Sequence, residues 1–384
     1  MIEISAQQKT ILLLKIGENN WRSVPGEGET TEPVRKTHGT AAVVIAALVL
    51  VAGFVFLMPN APALVKEGSG LFSQLISSLE GRNGGNGGLN YTIYSPLIQK
   101  GAANISYPSN YDVLADYALG LINNDRTGYG LAAVTLSDVN VAQQHADSML
   151  RYGYFSHNDT QGFKPYMRYT LLGGRGAVEE NIATSYANYP DFTSTASVEA
   201  ALKTLEYTMM YNDSQCCNNG HRYNILSSLH NRVSIGVAFN STRVFFVEDF
   251  ENYYVDFNFS VSSSYTVTMS GTPLEAGLTG SAVYVYYDST PTPETPAQLN
   301  AGPHEYGSGA SLGGVLPPCY LTCSTFEHGI TAYAGEWTFT STSVAVSFSL
   351  HDFIQRYGPG VYTLYLLTSA DPSSDITSFC VFVG

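Results

Sequence analysis

Twenty consecutive residues without a charge, Gly39–Met58, constrain this chain more than any other feature. Eleven of them are Val, Ile, Leu or Phe. At about −0.3 to −0.6 kcal/mol each near a helix centre, they favour membrane insertion by a few kcal/mol. At about 1.5 Å per residue the run is long enough to cross the hydrocarbon core as a helix. Pro59 and Pro62 end it. Arg35, Lys36 and His38 precede it, and the next basic residue is Lys66. That asymmetry places the N-terminus in the cytoplasm and the rest of the chain outside the cell. Two other readings stand beside this one. Ala61-Pro62-Ala63 resembles a signal-peptidase site, but 38 residues before so long an apolar run are unusual for a signal peptide. A buried core helix would show a polar face, and this run has none.

The organisation that follows is a cytoplasmic segment 1–38, a transmembrane helix 39–58, a stalk 59–110, a mixed α and β domain 111–256 and a β domain 257–384. The stalk contains a short amphipathic stretch around Leu71, Leu75, Ile76 and Leu79, then the flexible Gly/Asn run from Gly81 to Gly88. Apolar residues at helical spacing predict helices over Val113–Ile122, Ser137–Arg151 and Val198–Tyr211, and a short one over His221–Ser227. Ser137 or Asp138 is the expected cap of the second. Val233–Phe239 and Val244–Phe250 read as strands joined by a turn. Beyond residue 257 helical periodicity nearly vanishes. Strand candidates are Phe259–Met269, Ser281–Tyr287, Glu336–Thr340, Ser343–Leu350 and Gly360–Thr368, separated by Gly- and Pro-rich turns. They predict an immunoglobulin-like β-sandwich.

Charged residues make up only 13% of the chain, and the net charge is −14. All of that excess follows residue 38, so the predicted exterior is acidic and has no basic stripe. Nucleic acid is excluded as a partner on this ground.

Three segments carry the chemistry: Gly153-Tyr154-Phe155-Ser156-His157, Glu179-Glu180-Asn181-Ile182-Ala183 and Gly220-His221-Arg222-Tyr223-Asn224-Ile225-Leu226. Each alone is a weak signal, because a single His or Glu serves as well in a loop or a cap. Their order, together with Asn123 and Arg126 in the first helix, His145 in the second and the strand Val244–Phe250, resembles the CAP superfamily in its prokaryotic-type branch. That superfamily comprises the cysteine-rich secretory proteins, antigen 5 and pathogenesis-related 1 proteins. The resemblance covers about residues 112–252. It implies an α-β-α sandwich with a central cleft lined by His157, Glu180 and His221, with Glu206 as the candidate fourth member. Departures from the family pattern are Glu179, where Gly is usual, and the enlarged loop Asn212–Asn219.

Two His and one or two carboxylates make a candidate site for Zn²⁺ or another divalent cation with an open position. Hydrolysis by the same cleft needs an activated water or a nucleophile. No HExxH helix occurs. His145 shares the apolar face of its helix and is left outside the site. Of the five cysteines, adjacent Cys216 and Cys217 are not expected to bridge each other. One bridge is expected among Cys319, Cys323 and Cys380. Sequons at Asn90, Asn104, Asn158, Asn212, Asn240 and Asn258 all fall in the predicted exterior.

The expected function is that of a membrane-anchored extracellular protein. It would recognise or adhere to a cell-surface or wall component, or another extracellular protein, with a cleft open to a divalent metal. The alternatives are a metal-dependent extracellular hydrolase, directed at peptides or glycans, and a lipid- or sterol-binding protein.

Overall fold

The computed structural model describes residues 93–94, 110–369 and 374–384. The predicted span 39–58 lies outside them, as does the predicted stalk 59–110 apart from three residues. Among the described residues no helix is long and apolar enough to cross a membrane. Residues Gly87–Gly384 form one compact unit built of two modules.

After the two-residue strand β1 (Ile93–Tyr94), the first module runs α1 (Tyr111–Gly128), β2 (Thr135–Leu136), α2 (Val141–Tyr152), α3 (Pro165–Leu171), β3 (Ala177–Tyr186), α4 (Thr195–Tyr211), α5 (Ser214–Cys217), α6 (Gly220–Ile225), β4 (Arg232–Asn240) and β5 (Arg243–Asn252). Its sheet has the order β2-β4-β5-β3, antiparallel except for the β2–β4 pair. Helices cover both faces. On one, Leu114, Ala118 and Ile122 of α1 and Val198, Leu202 and Met210 of α4 pack against Val233, Val237, Phe246 and Phe250. On the other, Ala142, Ala146 and Met149 of α2 pack against Ala238, Phe245, Val247 and Ile182. This is the three-layer α-β-α arrangement that the sequence led us to expect.

Helix α2 lies close to the sheet because β4 carries Gly236 where they cross. A Cβ at that position would sit 2.2 Å from the Ala142 carbonyl oxygen. Gly236→Ala is therefore expected to cost about 1–3 kcal/mol through forced separation of helix and sheet. Thermal or urea unfolding of the variant checks this.

The start of α2 differs from the sequence reading. The helix begins at Val141 with no side-chain cap from Asn140. Ser137 still belongs to the strand ladder, its N–H donating to the Val233 carbonyl at 2.9 Å. Its hydroxyl goes to Glu251. Helix α4 has a side-chain cap, because Ser194 and Ser197 form a reciprocal capping box.

The second module contains β6 (Val255–Val261), β7 (Thr266–Pro273), β8 (Gly280–Asp288), α7 (Pro296–Ala301), β9 (Ala310–Leu316), β10 (Ile330–Tyr333), β11 (Glu336–Phe339), β12 (Val344–Ser349), α8 (His351–Tyr357), β13 (Gly360–Thr368) and β14 (Asp375–Val383). One sheet has the order β1-β14-β13-β8-β9-β10 and the other β11-β12-β7-β6. Both contribute to one core, in which Phe257, Val267, Met269, Val346 and Phe348 meet Val283, Val285, Leu364, Leu366 and Val381. The stretch Phe259–Met269 is not one strand but two, turned at Tyr265, whose φ is 63°. The parallel β9–β10 pair and the six-stranded sheet depart from an all-antiparallel immunoglobulin-like sandwich.

The modules share a buried seam. Val141, Tyr166, Met167, Tyr169 and Val178 pack against Val361, Cys380 and Phe382. Polar contacts frame it. The Cys380 N–H donates to Thr170 Oγ1 at 3.1 Å, Asn252 Nδ2 to the Asp375 carbonyl at 3.0 Å, and Lys164 Nζ to Asp288 Oδ1 at 2.7 Å. The odd cysteine, Cys380, is thus free and buried in this seam.

Candidate functional site

Strand β3 carries the centre of the site, and strand geometry determines what it gathers. Successive residues of a strand point to opposite faces. Glu180 has the parity of Val178 and Ile182, which pack with α2 and α3; Asn181 has that of Ala183, which packs on the α1–α4 side. On β5 the register pairs Glu180 with Asp249 and Asn181 with Glu248. Two polar networks result, one on each face.

The first holds His157 and Glu180. His157 Nδ1 lies 2.8 Å from Glu180 Oε1. Arg168 Nη2 donates to the other carboxylate oxygen, Oε2, at 2.6 Å, and Arg168 Nη1 donates to the His157 and Phe163 carbonyls at 2.6 and 2.8 Å. Glu180 is 2% exposed and Arg168 7%, so this is a buried ion pair with a histidine on its rim. Burial pushes the Glu180 carboxyl up. Arg168, His145 and His157 together outweigh it and hold the group down at about 2. His145 lies 4.0 Å from Glu180 Oε1, and its Nε2 pairs with the Ser156 carbonyl at 2.8 Å. Burial, then the Arg168 charge, pushes His145 down to about 3, so it is a neutral packing residue at the site's edge. Asp249 is pushed well up, first by burial and then by the Glu180 charge beside it.

The second network holds His221 and Glu206. Asn181 Nδ2 donates to Glu248 Oε2 at 3.0 Å and to the His221 carbonyl at 3.2 Å, and Asn224 Nδ2 donates to Asn181 Oδ1 at 2.9 Å. Glu206 from α4 is buried, its charge facing that of Glu248, and neither of its carboxyl oxygens has a hydrogen-bond partner. Burial first, then the Glu248 charge, pushes Glu206 well above the carboxylate range. The His221 ring faces Asp213, with Nδ1 2.6 Å from Oδ1. The four expected site residues therefore fall into two pairs of surroundings, His157 with Glu180 and His221 with Glu206.

Fit for a single divalent cation follows from these contacts. Both Glu180 oxygens already have cationic or histidine partners, and Arg168 supplies the positive charge there. Among the described residues, three or more His, Cys, Asp or Glu ligand atoms come within 4.8 Å of one another in one group alone: Asp213, Cys216, Cys217 and His221. The residues expected to hold Zn²⁺ do not meet around one point.

Sequence reasoning missed Arg168, Asp213, Glu248 and Tyr306. Tyr306 comes from the second module. Its ring lies 4.7 Å from that of His157, and its hydroxyl accepts from the Glu180 N–H at 2.7 Å. The strap that carries it is anchored along the first module. Leu299 is buried against α2 and Tyr154. Asn300 accepts from the Phe155 N–H and donates to the Gly153 carbonyl, at 2.9 and 3.1 Å. Asn158 Nδ2 donates to Glu294 at 3.3 Å, so a glycan on that sequon would compete with the strap. No local pattern foretells a contact across about 150 residues. Tyr306→Ala is expected to uncover His157. Peptide mass spectrometry after diethylpyrocarbonate treatment should show faster modification at His157, with His145 still protected.

The two disulfides correct one expectation. Cys319 pairs with Cys323 inside the second module, but Cys216 also pairs with its neighbour Cys217. The enlarged loop permits this. Its chain turns through left-handed Asn218 and Asn219 directly after the pair.

A three-layer α-β-α module with a His–Glu pair on its central sheet is what the resemblance to the CAP superfamily implied. Residues 119–255 match the family model described as CAP, cysteine-rich secretory protein family, and this segment is a CAP domain. Solved structures similar to the chain include an extracellular protein containing an SCP domain from Bacillus anthracis str. Ames. It is 18% identical with a TM-score of 0.28, over 38% of this chain and 45% of that one. Another is the CAP domain of Enterococcal PrgA, 14% identical with a TM-score of 0.28, over 41% of this chain and 66% of that one. The chain thus spans less than half of the first of these. No curated protein matches it.

Proposed function

We propose that this chain is a membrane-anchored extracellular protein that recognises or adheres to a component of the cell surface or wall. In this reading the CAP domain is a rigid scaffold and the segment 39–58 is its anchor. The observation that carries it is the state of Glu180. Its carboxylate is consumed by Arg168 and His157, while Tyr306 of the second module takes the Glu180 backbone N–H and packs on the His157 ring. A carboxylate so committed is a poor general base, whereas a buried ion pair with a second-module tyrosine bonded beside it is well suited to fixing two modules in one orientation. Two disulfides among the described residues accord with an oxidising exterior. The acidic charge favours neutral or basic polymers over nucleic acid and anionic lipid.

Two assays of the purified full chain test this. Sedimentation with isolated envelopes should show saturable binding that survives His157→Ala. Screening against peptides and cell-surface glycans should show no turnover. Turnover abolished by His157→Ala would replace recognition by hydrolysis at this cleft.

A further inference from the structure

The loop between α4 and α6 contains a second, unassigned constellation. Asp213 is buried, Cys217 and His221 are half-buried and Cys216 is exposed. His221 Nδ1 lies 2.6 Å from Asp213 Oδ1, and Cys216 Sγ lies 3.4 Å from the same oxygen. Asp213 Oδ2 accepts the Arg222 N–H at 3.3 Å, which fixes the carboxylate plane. One ligand atom from each of the four residues falls within a 4.8 Å group. A tetrahedral Zn²⁺ has sulfur at about 2.3 Å and nitrogen or oxygen at about 2.0–2.2 Å, which puts its ligand atoms roughly 3.3–3.8 Å apart. Binding a cation needs the farthest ligand atoms to close by about 1 Å and the two bonded sulfurs, once reduced, to move apart to that spacing, and three of the four side chains reach solvent.

We propose that Asp213, Cys216, Cys217 and His221 form a binding site for a thiophilic divalent cation of the Zn²⁺ or Cd²⁺ class, open when the cysteine pair is reduced and closed when it is the disulfide. The site shares His221 with the cleft but does not involve His157 or Glu180, and it does not depend on the recognition reading above. The donor set is chemically coherent. Two thiolates and a carboxylate supply the charge, and softness selects Zn²⁺ or Cd²⁺ over Ca²⁺ or Mg²⁺. The redox step balances. A dithiol gives two electrons to the Cys216–Cys217 bond, becomes a disulfide, and its two protons go to the released sulfurs. Cation binding then expels both protons. A phosphine reductant does the same with water, becoming the phosphine oxide while the water protons go to sulfur. Cys216 is exposed, so either reductant reaches the bond.

Titration of the full chain with Cd²⁺ before and after phosphine reduction tests this. The reduced chain should bind one equivalent and show thiolate-to-metal charge-transfer absorption; the oxidised chain should show neither. Reduction also opens Cys319–Cys323, so a Cys319→Ser/Cys323→Ser variant should keep the signal. Cys216→Ser/Cys217→Ser should abolish it, with circular dichroism confirming the fold. His221→Ala should weaken binding by about tenfold or more, and His157→Ala should leave it unchanged. Equal binding by the oxidised and reduced wild type overturns the proposal, and that comparison needs no variant. Retention in the Cys216/Cys217 double variant, or loss in His157→Ala, overturns it as well.

Discussion

Arg126→Ala should lower stability by about 3–5 kcal/mol, enough to unfold a marginal domain at modest urea. The guanidinium is fully buried at the end of α1. Nε donates to the Ala132 carbonyl at 3.0 Å, Nη1 to the Ile225 and Ser227 carbonyls at 2.7 and 2.9 Å, and Nη2 to the His230 carbonyl at 3.0 Å. It thus ties α1 to the end of α6 and to the turn that feeds β4. Removal takes a donor from four carbonyls, those of Ile225 and His230 in buried contacts, and leaves a cavity beneath α6, the helix that presents His221. Burial lowers the Arg126 pKa, yet a guanidinium remains charged at neutral pH. Lysine keeps the charge but has one donor centre and no planar fork, so Arg126→Lys should recover only part of the loss. Urea unfolding checks the claim: the midpoint should fall with the slope unchanged. A loss below about 1 kcal/mol would mean that water replaces the clamp, and the role assigned to Arg126 would be wrong.

That clamp also shows how much was legible in the chain. Asn123 and Arg126 stood out only through the family resemblance; nothing in helical periodicity says that a buried arginine collects four carbonyls. Local signals did well where one element contains its own explanation. The alternating Val344, Val346 and Phe348 point into the core, although the cap expected at Ser137 or Asp138 did not form. They failed where the partner is far away. β14 was missed because its residues 375–383 are almost all buried on both faces, so no alternation marks it. The family resemblance implied one cleft lined by His157, Glu180 and His221, and the first two meet. The separation of that pair from His221 and Glu206 follows from strand alternation at Glu180 and Asn181, and the sequence reading had not placed those residues on a strand. Arg168 and Tyr306 were not readable at all. One comes from a short helix with no distinctive sequence, the other from a strap of the following module.

Glu180→Gln should cost a comparable amount and, unlike Arg126→Ala, should change the shape of the pH–stability curve. Glu180 titrates near 4.5 when free and at about 2 in the folded chain. A carboxyl depressed by folding contributes stability that is complete above the free value and is lost as pH falls through the folded value. The shift corresponds to roughly 3 kcal/mol released between about pH 4.5 and pH 2. The amide removes that limb. It also leaves the Arg168 guanidinium buried with only carbonyl partners, at a cost of about 3–5 kcal/mol near neutral pH. The opposing groups have the other sign. Glu251 is raised by burial to about 7, so its contribution is present in acid and fades as pH rises through 7. Stability of the wild type should therefore be greatest in mildly acidic solution, and Glu180→Gln should flatten only the acid side. Asp249 sharpens the test. Its neutral carboxyl lies across the ladder from Glu180, and it is the natural replacement counter-charge for Arg168 once Glu180 is gone. If so, Asp249→Asn is mild alone and severe in the Glu180→Gln background, a coupling that a double-mutant cycle measures directly. Additive losses would show that Asp249 cannot reach Arg168. An acid limb as large in Glu180→Gln as in the wild type would mean that other groups, buried His145 among them, and not Glu180, link folding to acid.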